Sequence, residues 1–324
     1  MCGVTRYLSY GLNMVDMLVQ KGVKPIMVFD GAKLPAKSST ETDRHRYLRV
    51  LDLTELCTVS NECDGCSSRA EQRARGSAFL KEGNRAEAYK CFQRAVDITP
   101  EMAARMIARL KERGVEYVVA PYEADAQMAH LAISGDVHAV ISEDSDLIAF
   151  GCPRVLFKMD KQGNGQELQL KNLGACSEVR FVNWDHSMVQ QMCILAGCDY
   201  LASLGGLGIK RAHALIHQYR NGERAIRQVR FEGRTMVDKT YETDFRRALM
   251  TIRYQRVFDR RLRDLVHLHA LPEGFAAEFG SAEFLGPLVS AEVACKIADG
   301  LIDPDTHEPF PAIDLKAEAK SYGT

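Results

Sequence analysis

The chain has 324 residues, 46% of them apolar and 26% charged, with 24 Gly and 10 Pro, the proportions of a globular protein of one large or two modest domains. Pervasive disorder, a collagen repeat and a small disulfide scaffold are excluded, and no apolar stretch approaches the roughly 18 residues of a bilayer span. Net charge is −1, which selects no partner by itself, and the ten Cys sit mostly in apolar settings (Cys91, Cys193, Cys198, Cys295). With no secretory pattern in the opening MCGVTRYLSYG, reduced thiols and a cytosolic or nuclear location are expected.

In chain order, an amphipathic helix around Val15 to Val19 precedes the buried strand Lys24-Pro-Ile-Met-Val-Phe-Asp30-Gly31. A helix is expected from Glu101 to Arg113, then a strand from Val115 to Ala120, a helix opened by Pro121 through Leu131, and a strand from His138 to Ser142. This alternation predicts an α/β fold with a mostly parallel central sheet flanked by helices. Arg154 to Met159 reads as a further strand, followed by the Gly-Asn-Gly turn at 163 to 165 and an extended piece near Leu168 to Leu170. From Ser187 onward the pattern is helical almost throughout. There is no internal repeat and no low-complexity tract.

Charge is segregated along this order. Residues 205–263 carry 15 Lys/Arg against 6 Asp/Glu and residues 69–113 carry 11 against 6, while residues 120–204 carry 5 against 11 and residues 264–324 carry 3 against 11. Any one block reads equally as a solvated face. Basic flanks around an acidic centre also suit a protein that grips a polyanion and hydrolyses it with metal ions.

In a parallel sheet, ligands bind beyond the carboxyl ends of the strands. Asp30 ends the first strand, Glu123 and Asp125 open the helix after the second, Asp144 and Asp146 follow the third, and Asp199 ends the apolar helix Met192-Cys-Ile-Leu-Ala-Gly. Singly, each has a plain structural reading as a helix first turn or a solvated turn. Converging on one cleft, they would repel one another unless hard cations neutralise them, and an oxygen-only set without His or Cys favours Mg2+ or Mn2+ over Zn2+. Two such ions about 4 Å apart activate a water and stabilise the leaving oxygen of a phosphodiester. After Asp199, the stretch Leu204-Gly-Gly206-Leu-Gly208-Ile-Lys210-Arg211-Ala212 has the turn and spacing of a helix-hairpin-helix, whose backbone N–H groups meet a DNA phosphate. A dinucleotide-fingerprint reading fails because no strand precedes it and Arg211 takes the third glycine position. An aspartyl-phosphatase reading of Asp30 fails at Ala32, where a second Asp would be required.

Four segments read in order, Lys-Pro-Ile-Met-Val-Phe-Asp30-Gly, Ala-Pro-Tyr-Glu123-Ala-Asp125-Ala-Gln-Met-Ala, Ser-Glu-Asp144-Ser-Asp146-Leu-Ile-Ala-Phe-Gly and Gly197-Cys-Asp199-Tyr-Leu, resemble the structure-specific 5′-nucleases that include flap endonucleases. Cys152 to Gly165, with Phe157-Lys158-Met-Asp160, and the helical Leu80 to Ala95 look like the exonuclease-1 branch, and the resemblance runs to about Leu315 outside residues 47–68. It implies a 5′-nuclease core with a helical arch and a C-terminal helix-hairpin-helix region, divided as residues 1–113, 114–200 and 201–315 with a tail at 316–324. It implies 5′-to-3′ exonuclease and 5′-flap endonuclease action on duplex DNA with 5′ ends, nicks or flaps, in mismatch repair, end resection and recombination in the nucleus, with mismatch-repair proteins as partners and no membrane. By the same resemblance, Asp30, Glu123, Asp125, Asp144, Asp146 and Asp199 hold two Mg2+ ions, with Mn2+ as a substitute. Lys37 and Arg44 lie on the arch that frames the 5′ end, Lys158 lies on a DNA-contacting strand, and Gly206, Gly208, Lys210 and Arg211 bind the duplex backbone, with a monovalent cation at the hairpin.

Three departures from the family pattern are expected to matter. A leading strand that supplies a seventh acid has no counterpart before Arg6-Tyr7, so a DNA-binding chain with impaired catalysis is the alternative reading. Residues 47–67 interrupt the arch between Arg44-His-Arg46 and Arg69. Their Cys57, Cys63 and Cys66 raise a zinc reading that needs a fourth ligand such as His45, but the flanks rejoin when the segment is removed, which suits a translated intron. The long tail through which relatives bind repair partners is not seen after Lys316. An incomplete gene model is the expected explanation of all three departures.

Overall fold

The computed structural model describes residues 6–37, 69–94, 99–176 and 179–311. Arg44, the arch segment around it and residues 47–67, with their cysteines, lie outside the described residues. The chain forms two units, each discontinuous in sequence: the first from residues 1–35, 100–176 and 250–324, the second from residues 36–99 and 177–249. Among the described residues no helix is long and apolar enough to cross a membrane.

In the first unit, α1 (Arg6–Gln20) leads into β1 (Ile26–Phe29), and α4 (Pro100–Glu112) leads into β2 (Glu116–Val119). β1 and β2 pair in parallel from Ile26 with Glu116 to Phe29 with Val119, which sets their carboxyl ends side by side. The pair is covered on both faces, as parallel strands require. Met27, Phe29 and Tyr117 pack with Leu12, Val15, Met106 and Leu110 of α1 and α4, while Val28 and Val118 pack with Leu131, Phe258, Ala294 and Ala298. The last four belong to α5 (Ala124–Ile133), β6 (Arg256–Asp259) and α12 (Ala291–Ala298). This period-two alternation is what the apolar run at 26–29 encodes.

β3 (Val140–Ile141), α6 (Asp146–Ala149), β4 (Arg154–Phe157) and β5 (Gln166–Gln169) follow, with β3 and β4 parallel and β4 and β5 antiparallel. The expected α/β class and parallel pairings are present, and among the described residues hydrogen bonding groups the strands as β1–β2, β3–β4–β5 and the pair from residues 256–267. β3 is only two residues long, and no described strand bonds both the β1–β2 pair and the β3–β4 pair. A correction lies past Ser187, where β6 and β7 (Asp264–His267) form an antiparallel hairpin in a stretch expected to be helical almost throughout. Its turn is made by Asp259, whose carboxylate accepts from the N–H groups of Arg261 and Leu262, both at 2.8 Å.

The second unit is helical: α2 (Arg69–Lys81), α3 (Arg85–Arg94), α7 (His186–Ala196), α8 (Ile209–Tyr219), α9 (Gly222–Glu232) and the start of α10 (Tyr241–Tyr254), with α11 (Phe275–Phe279) falling in the first unit. Asp185 caps α7 by accepting from Met188 N–H at 2.8 Å, and Asn221 caps α9 by accepting from Arg224 N–H at 3.0 Å. α7 and α9 meet without space for a side chain at Gly222. Its N–H donates to Gln191 Oε1 at 2.7 Å, and a Cβ there would lie 2.3 Å from Phe245 Cζ. Phe245 is 1% exposed and has nowhere to retreat, so Gly222→Ala is expected to cost about 2–3 kcal/mol of stability, read as a lowered urea midpoint.

Candidate nuclease site

The site in the first unit follows from the side-by-side ends of β1 and β2. Gly31 N–H donates to Tyr122 O at 2.6 Å and Ala32 N–H to Pro121 O at 3.0 Å, lacing the two post-strand loops together. A Cβ on Gly31 would lie 1.9 Å from Ala120 O, so only glycine permits this approach. Asp30 thereby reaches the next element: its Oδ1 accepts from Ala124 N–H, in the first turn of α5, at 2.9 Å. Glu123 is the N-cap residue of α5 and is 7% exposed; Asp125 follows in the first turn. Asp144 and Asp146 come from the loop after β3, where Asp144 Oδ1 accepts from Asp146 N–H at 2.8 Å.

Electrostatics show which of these groups share a site. The carboxyl of Asp125 is held well above the ordinary carboxylate range, first by its burial and then by the charges of Asp144, Glu123, Asp146 and Asp30. Five of the six expected acids therefore act on one point at the ends of β1, β2 and β3. Among the described residues no three His, Cys, Asp or Glu form a ready-made metal chelate. The fit to hard divalent cations lies in the donor chemistry, oxygen-only carboxylates clustered tightly enough to penalise ionisation of Asp125. The same repulsion opposes closing the set without a cation.

The sixth acid, Asp199, belongs to the second unit, just past α7. There its Oδ2 lies 2.9 Å from Nζ of Lys37, both side chains about three-quarters buried, and Lys37 stands 6.0 Å over the ring of Tyr200. Two residues expected to serve one reaction thus pair with each other. In the hairpin, Gly206 takes a left-handed φ of 74° and Gly208 caps α8 without a side-chain hydrogen bond, in contrast to α7 and α9. Lys210 is exposed, and Nη2 of Arg211 lies 2.7 Å from Oε2 of Glu232. Lys158 lies one residue beyond β4, with φ 51°, in the hairpin turn rather than within a strand. That turn is organised by Asp160, which accepts from Gln162 and Asn164 N–H.

Sequence reasoning passed over the residues that hold α5 in place. Gln127, fully buried one turn after Glu123, donates from Nε2 to Phe258 O at 2.9 Å and accepts from Phe258 N–H at 2.8 Å. The signal was present as an amide on the apolar face of a helix, a position that needs partners. Gln127→Leu leaves both backbone groups of Phe258 buried and unmatched, with an expected loss of roughly 2–4 kcal/mol in denaturant unfolding. Tyr122 donates to Pro287 O and Arg256 to Gly286 O, tying the 282–287 loop to the segment that carries Glu123. Burial pushes the Tyr122 hydroxyl up to about 12, so it stays a donor across the working pH range.

Residues 2–49 match the XPG N-terminal domain and residues 114–199 the XPG I-region. The chain is 44% identical over 306 residues to Exonuclease 1 of Oryza sativa subsp. japonica, covering 94% of this chain and 34% of that protein. It is 42% identical to Exonuclease 1 of Arabidopsis thaliana, covering 95% of this chain and 38% of the relative, and 34% identical to Exodeoxyribonuclease 1 of Schizosaccharomyces pombe, covering 97% and 51%. The chain thus spans about a third to a half of the length of these relatives. Among solved structures it is similar to the catalytic core of Rad2 in complex with DNA substrate, with a TM-score of 0.49 and 18% identity over 98% of this chain and 77% of that one.

Proposed function

Because the chain belongs to the exonuclease-1 branch of the XPG family, we propose that it is a metal-dependent nuclease that hydrolyses duplex DNA from 5′ ends and nicks and cuts 5′ flaps, in the repair of mismatches and the resection and recombination of broken ends. The observation that carries the reading is the convergence of Glu123, Asp144, Asp146 and Asp30 on the half-buried Asp125. These five would hold the divalent cations, Mg2+ with Mn2+ as a substitute. The family resemblance assigns Asp199 to cation binding as well, at the carboxylate that Lys37 occupies here. Bound there, the ions supply a nucleophilic water at neutral pH and charge stabilisation at the leaving oxygen. What the chain itself contributes is placement: Asp30 holds the α5 first turn, Gln127 fixes α5, and the laced loops at Gly31 fix the distance between strand ends. Substrate grip is assigned to the hairpin from Gly206 to Arg211, with a monovalent cation there, and to the basic arch that includes Lys37 and Arg44. Mismatch-repair partners and a nuclear location go with the same reading.

The test is Mg2+-dependent cleavage of a nicked duplex and a 5′-flap duplex by the chain and by Asp146→Ala. Cleavage by the chain alone supports the reading; equal cleavage by both, or none by either, overturns it. A DNA-gripping role without catalysis is not favoured, since the relatives are nucleases by name.

A further inference from the structure

At the end of α9 two large apolar side chains stand almost wholly in water: Phe231 is 87% exposed and Met236 is 93% exposed. They flank the sharp left-handed end of the helix at Gly233, φ 64°. The loop that bears them is fastened to the hairpin. Thr235 Oγ1 donates to Gly205 O at 3.1 Å, and further along, the Tyr241 hydroxyl donates to Ala202 O at 3.0 Å. The tip is therefore held beside the turn at Gly206 and Gly208.

Charge decides the kind of partner. Nearby acids are mostly engaged: Glu232 by Arg211, and Glu242 by Arg227 at 3.0 Å and Arg230 at 2.5 Å. Asp238 is the acid within the loop itself. Arg234 and Lys239 in the loop, and Lys210 in the first turn of α8, are exposed, and among the described residues no hydrogen bond or ion pair engages their side chains. A pair of apolar side chains between unengaged cations is the combination that enters a DNA groove, apolar wedge against the bases and cations on the flanking phosphates. We propose that the loop from Phe231 to Lys239 is a second duplex contact beside the hairpin, with Phe231 and Met236 seated in the minor groove and Arg234 and Lys239 on phosphates. The inference rests on the duplex-nuclease reading above and adds the residues that read the duplex at a distance from the reacting strand.

The test is duplex affinity by fluorescence anisotropy across a KCl series, with EDTA present so that no strand is cut, on the full chain. The variants are Phe231→Ser/Met236→Ser and Arg234→Ala/Lys239→Ala, with melting temperatures matched to wild type as a check on folding. The apolar pair is expected to weaken binding about tenfold at every salt concentration, leaving the slope of log K against log salt unchanged. The cationic pair should instead reduce that slope by about 2. Wild-type affinity and slope in both variants overturns the proposal and leaves the patch to a protein partner; a wild-type chain that does not bind duplex overturns it too. Cleavage in Mg2+ is followed in parallel. Loop-dependent binding without cleavage sinks the nuclease reading alone, whereas cleavage with loop-independent binding sinks this inference alone.

Discussion

Asp125→Asn is expected to melt about 2–4 °C higher than wild type in the absence of divalent cation at pH 8, while losing about 10³-fold in Mg2+-dependent cleavage. Both halves come from one cause. Burial and the four neighbouring acids raise the Asp125 carboxyl well above its unfolded range, so keeping it ionised costs the native state free energy. The native state consequently binds a proton that the unfolded chain has already released. Wild-type stability from this group is complete below the unfolded carboxylate pKa and is lost as pH rises through the raised one. Asparagine carries no charge to penalise, and the difference in melting temperature between the two proteins should widen with pH across that window and then level off.

Divalent cation reverses the order. A cation that binds the native carboxylates and not the unfolded chain stabilises wild type by RT ln(1 + [L]/Kd), so Mg2+ should raise the wild-type melting temperature. The same titration should do much less for Asp125→Asn. A melting temperature that rises equally in both proteins, or that is lower for the variant in EDTA, would show that Asp125 is a structural acid and not the centre of a cation site.

The acids were legible because strand ends in a parallel sheet carry a simple sequence mark, an apolar run closed by Asp-Gly or followed by an acidic first turn. Asp30, Asp125 and Asp146 all bear it. What the chain order did not reveal was partnership. Nothing in Arg211 announces Glu232, twenty-one residues away on another helix. The β6–β7 hairpin was hidden because Arg256-Val-Phe-Asp and Asp264-Leu-Val-His are only four residues each, too short for a period to separate strand from helix. The clamp of Gln127 on Phe258 was hidden for the opposite reason, since it joins residues 131 apart that no local pattern connects. Short β3 shows the same limit within the sheet. A five-residue strand was expected from His138 to Ser142, yet only Val140 and Ile141 pair in the ladder.

The pairing of Lys37 with Asp199 yields the other large effect, and it separates two roles for one lysine. As a cation near a phosphate, Lys37 would stabilise the charge of a reacting phosphodiester, and its removal would cost about 10²–10³-fold in single-turnover cleavage. As the resident partner of Asp199 at 2.9 Å, it competes with any divalent cation for that carboxylate. Lys37→Ala should therefore bind Mn2+ more tightly by titration calorimetry while it cleaves more slowly, two readouts moving in opposite directions. Lys37→Arg keeps the charge but spreads it over a planar fork, and should retain the competition while recovering only part of the rate. The lysine stands over Tyr200 with its side chain about three-quarters buried, so part of its charge is already desolvated, which strengthens both the hold on Asp199 and the attraction to an incoming phosphate. If Lys37→Ala weakens cation binding along with cleavage, the ion pair is not a competitor but a support for the Asp199 loop. The exchange of Lys37 for a metal ion at Asp199 would then have to be abandoned.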